Sequence, residues 1–396
     1  MTFSPSPARR IVSIAGTLLT LAVPAAAQQR ISDALSFLLT NRSVVTGDFA
    51  RDEQATLSTR DTIIQFLQTE LATLPVSSPA SGFTYRLNPT LGTDVRSSES
   101  FGPFFIQRSL TGGQGQVAFA VSYRGVTFDS IDGQSLTAGT LVSTASRLHG
   151  ETVPFDVETL TLHLEMQTLT AAATVGVTDR LDVSAAVPIV TVKLDGARVD
   201  TYRGQAFPQA TAQASASGMG DLLFLVKYNV LRDGGSGLAI GGAATLPTGD
   251  EQNLLGSGEV AIVPRVIGSF ERDRFAVHGE GGVVLTGPSR YIDFGSAVTV
   301  VAASRLTIAA ELIGQRFTSG GRLTQVVDPN PQLVGVDTVR LVGAEEPTTR
   351  LLLAAGVRWN VSGRWLFSVN AMQSLTSAGL TASWIPTVTL DYSFGR

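Results

Sequence analysis

From about Gln116 to the end of the chain, apolar and polar residues alternate with a period of two. That pattern sets one side of each segment against an apolar medium and the other against a polar one, which is the signature of β-strands. Twelve segments carry it: Gln116–Asp129, Glu158–Val177, Leu181–Leu194, Gly220–Val230, Leu238–Pro247, Glu259–Phe270, Phe275–Thr286, Phe294–Ala302, Leu306–Phe317, Arg350–Trp359, Arg364–Met372 and Ala382–Phe394. Each is near the roughly 9–11 residues that a tilted strand needs to cross a bilayer. The connections alternate in length. Thr178-Asp179-Arg180, Arg232-Asp233-Gly234-Gly235, Glu271-Arg272-Asp273-Arg274, Ser304-Arg305 and Val361-Ser362-Gly363 are short, whereas 130–157, 195–219, 248–258, 287–293, 318–349 and 373–381 are longer. Short periplasmic turns alternating with longer external loops are how transmembrane barrels are built. The expected fold is all-β: a transmembrane antiparallel β-barrel of about 12 strands with a short helical N-terminal segment, in the outer membrane of a Gram-negative cell.

Composition narrows the alternatives. Only 16% of residues are charged, against about a quarter in soluble domains. A helical membrane protein needs spans of about 20 apolar residues, and the only run approaching that length is at the extreme N-terminus. A net charge of -4 leaves no basic footprint, so no nucleic-acid partner is expected. The absence of Cys excludes disulfides and thiolate metal sites.

Three units follow. Residues 1–27 read as a signal peptide: Arg9 and Arg10 precede the apolar Ile11–Val23, and Pro24-Ala25-Ala26-Ala27 offers a cleavage site before Gln28. Residues 28–115 differ from the rest. Their pattern is polar and helical, and Thr62 to Leu71 places Ile63, Ile64, Phe66, Leu67 and Leu71 near one helical face, with Asp61 in the first turn and Pro75 beyond the end. A Ser/Pro/Gly linker runs from Val76 to Gly82. This unit reads equally as a periplasmic leader or as a plug in the barrel mouth. Residues 116–396 are the barrel.

The two faces of the strands have different tasks. In Gly220–Val230, Leu222, Phe224, Val226, Tyr228 and Val230 oppose Asp221, Lys227 and Asn229. A charge on the lipid face costs about 2–4 kcal/mol at the midplane, so charges are expected inside. The expected lumen-lining set is His163, Glu165, Gln167, Lys227, Glu259, Arg265, His278, Glu280, Glu311, Gln315, Arg350, Arg358, Asn370 and Asp391. An ion-selective pore would show rings of one sign. Interleaved signs predict instead cross-lumen pairs that narrow or close the pore. Phe270, Phe275, Trp359 and Trp365 flank short turns on the apolar face, where a lower aromatic girdle would sit. The last segment, with Trp384, Val388, Leu390, Tyr392 and Phe394 on one side, resembles the terminal strand read by the outer-membrane insertion machinery; Gly395 and Arg396 follow the final aromatic.

No nucleophile elbow, dinucleotide fingerprint or phosphate-binding loop is present. His163 beside Glu165 and His278 near Glu280 could form acid–base or metal pairs, but a hydrated, ion-paired lumen wall explains them more simply, and neither is expected on the barrel's outer face. The acidic tip Gly249-Asp250-Glu251-Gln252-Asn253 could offer oxygen ligands to Ca²⁺; a solvated loop explains it as well. No catalytic residue, metal or cofactor is expected.

The run Gly218-Met219-Gly220-Asp221-Leu222 leading to Lys227-Tyr228, then Gly237-Leu238-Ala239 to Leu246-Pro247-Thr248-Gly249-Asp250, then Gly256-Ser257-Gly258, resembles the outer-membrane barrel family associated with the meta-pathway of phenol degradation. The resemblance implies a transport role and names no substrate. More distantly it is similar to FadL-like channels, which have an N-terminal hatch and fourteen strands; on that likeness Phe101–Leu110 would be a further strand or part of a hatch. The expected function is passive uptake of small hydrophobic or aromatic molecules, with outer-membrane lipid, the insertion machinery and a small hydrophobic solute as partners. A closed structural or surface-binding barrel is the alternative, and a lipid-modifying enzyme the third reading.

Overall fold

A computed structural model describes residues 29–45, 51–78, 82–88 and 93–395; the expected leader, 1–27, lies outside them. Twelve antiparallel strands close on themselves: β1 Val117–Phe128, β2 Asp156–Thr178, β3 Leu181–Tyr202, β4 Leu222–Asp233, β5 Ser236–Leu246, β6 Ala261–Arg272, β7 Phe275–Val283, β8 Tyr291–Ala303, β9 Leu306–Phe317, β10 Thr348–Ser362, β11 Trp365–Ser374 and β12 Ile385–Phe394. Each pairs with its neighbour in sequence, and β12 closes on β1 from Phe394↔Val117 to Thr387↔Arg124. Closure removes the sheet edge, so every strand of the wall has backbone partners on both sides. The twelve expected segments are these strands. Phe101–Leu110 forms no strand, so the fourteen-strand count does not hold.

Around the barrel the outer face is apolar. Phe224, Val226 and Tyr228 on β4, Leu353, Val357 and Trp359 on β10, Val369 on β11, and Val388 and Leu390 on β12 are all exposed. On β2 and β3 this belt ends at a shared level. Leu169, Val175 and Val177 point outward from β2, and Val183, Val187 and Ile189 from β3; Leu169 pairs with Ile189. Beyond that pair the outward residues become Gln167, Glu165 and His163 opposite Thr191, Lys193 and Asp195, while Met166, Leu164, Leu162 and Leu160 turn inward and are buried. The strand does not roll over. The surroundings change: outside from an apolar belt to water, inside from a polar lumen to packed helices. The inward placement expected for His163, Glu165 and Gln167 is therefore corrected.

At this end β2 and β3 run far past the belt, at 23 and 22 residues. Strand Leu141–Leu148 joins β2 and is followed by Val336–Gly343 and Leu323–Pro329, while Gln205–Met219 joins β3. Together they form a tall wall on one side of the long-loop mouth. Two helices pack inside it. Helix α1 (Ile31–Thr40) buries Ile31, Ala34, Leu35, Leu38 and Leu39, a stripe one turn wide. Helix α2 (Glu53–Ala72) is capped by Asp52, whose carboxylate accepts from Ala55 N at 3.0 Å, and buries Ile63, Phe66, Leu67 and Leu71. It begins well before Thr62 because its first turns bury Thr56 and Thr59, which give no apolar stripe. Among the described residues no helix is long and apolar enough to cross a membrane.

Candidate functional site

The polar inner wall of the barrel holds the N-terminal segment by its backbone. Residues 98–112 cross the lumen near the short-turn end without regular structure, so their amides have no ladder to join. Wall side chains take that place. The Glu311 carboxylate accepts from three consecutive amides, Phe104 N, Phe105 N (2.9 Å) and Ile106 N (3.0 Å). Glu280 takes the next, Gln107 N, at 3.1 Å. Ser269 accepts from Ser109 N at 2.9 Å, and Asp182 accepts from Gly112 N at 3.0 Å. Cationic and amide side chains serve the carbonyls. Lys227 Nζ donates to Arg108 O (3.1 Å) and Leu110 O (2.8 Å), Asn229 donates to Ser109 O (2.8 Å), and Arg358 donates to Phe101 O and Pro103 O. Mixed charge signs in the lumen are what an uncharged backbone with both donors and acceptors requires.

Higher up, residues 73–78 descend from α2 through the middle of the lumen. Gln315 donates to Thr73 O at 2.9 Å, Arg124 to Pro75 O, and Ser78 N reaches Phe104 O at 2.8 Å. The end of α2 is pinned by Glu70, which pairs with Arg350 and accepts from Leu380 N at 2.9 Å. Burial outweighs the Arg350 charge and pushes the Glu70 carboxyl up to about 7. The end of α1 is held by two arginines. Arg198 donates to Leu38 O and Leu39 O, each at 3.0 Å, and Arg51 to Leu39 O at 2.6 Å, meeting carbonyls that a helix terminus leaves unpaired. Carboxylates steady both: Asp200 lies 3.1 Å from Arg198, and Glu158 lies 2.6 Å from Arg51. Sequence reasoning missed Arg198, which is fully buried; an arginine two residues from an aspartate on one strand face was the available signal.

The lumen is divided and not filled. One cavity of about 110 Å³ lies between β1–β5 and residues 71–77, lined by Leu71, Leu74, Met166, Val190, Leu223 and Leu255 with Arg124 and Thr387 at its polar side. A second, about 180 Å³, lies across the descending segment against Phe105, Leu225, Val263 and Tyr291. A vestibule of about 420 Å³ opens beside α2, between Gln65 and Phe66 and residues 287–290 and 318–320.

Of the expected lumen set, Lys227, Arg265, His278, Glu280, Glu311, Gln315, Arg350, Arg358, Asn370 and Asp391 lie on the inner face. Their partners differ from expectation. Arg265 pairs along the wall with Glu280 (3.1 Å) and Asp293 (2.7 Å), and not across the lumen. His278 meets Ser269 Oγ at 2.9 Å instead of Glu280. Asn370 and Asp391 are buried with side-chain atoms that have no protein partner, a situation ordered water usually meets. His163 and Glu165 form an exposed pair at 3.0 Å on the outer face, beyond the apolar belt. Glu259 is exposed in the loop before β6, because that strand starts only at Ala261. Phe270, Phe275, Trp359 and Trp365 are exposed on the outer face beside the short turns. Trp384 stands exposed just ahead of β12, whose Val388, Leu390 and Phe394 share the outer face with Tyr392, its ring tilted against that of Trp365 with centroids 4.6 Å apart. Asp250 caps its own turn, accepting from Gln252 N at 3.0 Å and Asn253 Nδ2 at 2.8 Å, and no cluster of metal ligands occurs among the described residues.

A closed twelve-strand barrel with an apolar outer belt and a polar lumen is the architecture of transmembrane β-barrel proteins. The chain belongs to the family described as "Putative MetA-pathway of phenol degradation", whose model matches residues 137–378. Among solved structures it is similar to the COG4313 outer membrane channel from Pseudomonas putida F1, with 13% identity, 72% of this chain and 98% of that chain covered, and a TM-score of 0.46. It is also similar to the translocator domain of the autotransporter NalP from Neisseria meningitidis (12% identity, 71% and 89% covered, TM-score 0.39). A third is the Ralstonia pickettii toluene transporter TbuX (10% identity, 72% and 90% covered, TM-score 0.28). A search of curated protein sequences found no match.

Proposed function

We propose that this chain is an outer-membrane channel for passive uptake of small apolar solutes, single-ring aromatics included, with its N-terminal segment seated in the lumen as a plug. The observation that carries the reading is the divided lumen. Wall side chains hold the segment by its backbone, yet cavities of about 110 and 180 Å³ remain on either side of it, each partly lined by Leu, Val and other apolar side chains. A wholly apolar protein cavity of about 150 Å³ takes up benzene; these two are of that order of size, with Arg124 and Asp221 in one and Arg265, Glu280 and Asp293 in the other adding polar edges. Membership of the phenol-degradation family and the polar vestibule above the cavities support the same reading. On this account residues 1–27 direct export, β12 is recognised by the insertion machinery, and the belt meets outer-membrane lipid.

The rival is a closed surface-binding barrel, favoured by the tall wall built from 141–148, 205–219 and 323–343. Reconstituted vesicles separate the two. Uptake of a neutral single-ring aromatic beyond the rate through protein-free lipid, with a sugar of similar size excluded, is the expected result. Aromatic uptake no faster than through protein-free vesicles would remove the channel reading and leave surface binding.

A further inference from the structure

Three pieces of the family resemblance, Gly220-Asp221, Thr248-Gly249 and Gly256-Ser257, meet at one point of the long-loop mouth. Asp221, just ahead of β4, reaches into loop 248–258. Its carboxylate accepts from Gly249 N at 3.0 Å and from Ser257 N and Ser257 Oγ, each at 2.7 Å. Thr248 Oγ1 completes the joint, donating to Gly220 O at 2.8 Å and accepting from Leu222 N at 3.0 Å. The glycines are needed for closeness. A Cβ on Gly249 would lie 2.6 Å from Leu255 O and 2.8 Å from the Gly256 Cα, and one on Gly256 would collide with Asp221 Oδ1.

Drawn down in this way, the loop faces the helices. A left-handed residue at Leu254 (φ 56°) turns Leu254 and Leu255 inward, where both are buried with α1 and α2, and Leu255 roofs the cavity of about 110 Å³. The same loop touches each helix through a hydrogen bond. Ile31 N, at the start of α1, donates to Asn253 Oδ1 at 3.2 Å, and Gln68 of α2 donates to Ser257 O at 3.0 Å. Ser257 thus links Asp221 directly to α2.

We propose that Asp221 is the positioning residue of the outer mouth: by clasping loop 248–258 it seats both N-terminal helices over the lumen. This rests on the reading of the N-terminal segment as the closing element of a channel. The signature motif then marks the joint between barrel and plug, beside the cavity that Asp221 and Gly256 help to line.

The chain has no cysteine, so a single Leu67→Cys on α2 reports seating through its reaction with a membrane-impermeant thiol reagent applied to intact cells. Adding Asp221→Ala removes three acceptor contacts and is expected to speed labelling about tenfold or more. The heat-dependent gel shift of the assembled barrel stays unchanged. Asp221→Asn, which keeps one acceptor oxygen, falls between. If Asp221→Ala does not assemble, Gly256→Ala breaks the same joint from the loop side and carries the same expectation. Because labelling reads helix seating and not flux, faster labelling without solute passage supports the clasp while contradicting the channel. Labelling of Leu67→Cys at the unaltered rate in these backgrounds overturns the clasp, whatever the flux.

Discussion

Glu311 shows how a lumenal charge works here. Three consecutive amides of the crossing segment converge on one carboxylate, leaving it no need of a cationic partner across the lumen. Leaving a buried amide without an acceptor costs about 1–3 kcal/mol. Glu311→Leu is therefore expected to unseat residues 98–112 while the barrel assembles, seen as new protease cleavage within that stretch; a cleavage pattern identical to the parent's contradicts the role. Glu70 adds a dependence on pH. Its carboxyl is raised from 4.5 to about 7, so the seated state binds the proton more tightly than the released state does. Its contribution to seating is complete below about pH 4.5 and is lost as pH rises through about 7. Hydrogen exchange of α2, corrected for the intrinsic rate, is expected to quicken from pH 5 to pH 7.5, and Glu70→Gln to flatten that rise. At this scale the sequence was legible in part. Alternation shows that Lys227, Glu311 and Arg358 face inward. It cannot show that their partners are main-chain atoms more than a hundred residues away, because a backbone amide has no letter of its own.

Among the elements, β2 and β3 are the most instructive. Alternation is unbroken along both, yet the apolar phase swaps at the Leu169↔Ile189 level. A rule that every polar position faces the lumen holds only where lipid is outside. Past that level it inverts, which is why His163, Glu165 and Gln167 turn out on the outer face. The sequence contains the switch: Leu160, Leu162, Leu164 and Met166 stand in one phase and Leu169, Ala171, Val175 and Val177 in the other. Val175→Arg and Val187→Arg are expected to block insertion, at about 2–4 kcal/mol each near the midplane and less toward the interface. Glu165→Arg, only four residues from Leu169, is expected to insert like the parent, as read by the heat-dependent gel shift. Loss of insertion in Glu165→Arg would place the lipid boundary higher than this structure does. Strand limits elsewhere were readable because each strand must span one thickness; Leu306–Phe317 coincides with β9. The crossing segment 98–112 was not, since a chain fixed by its backbone imposes no period on its side chains.

Seen whole, the molecule is a barrel assembled around its own N-terminal segment. The N-terminal segment descends from helices at the long-loop mouth to the short-turn end, where residues 98–112 meet the wall, and the wall from β1 to β12 closes around it. Seating then depends on contacts at three heights: Glu311 and Lys227 below, Gln315 in the middle, and Arg198, Arg350 and the Asp221 joint above. On the reading proposed above, that arrangement keeps the lumen closed to bulk ions while leaving partly apolar cavities beside the segment. Planar-bilayer conductance tests it most directly, comparing the intact protein with one lacking residues 29–112. The intact protein is predicted to pass little current, and the shortened one, still showing the gel shift of an assembled barrel, to give a large and steady conductance. A wide, stable pore in the intact protein, or no gain of current on removing the segment, would contradict the account.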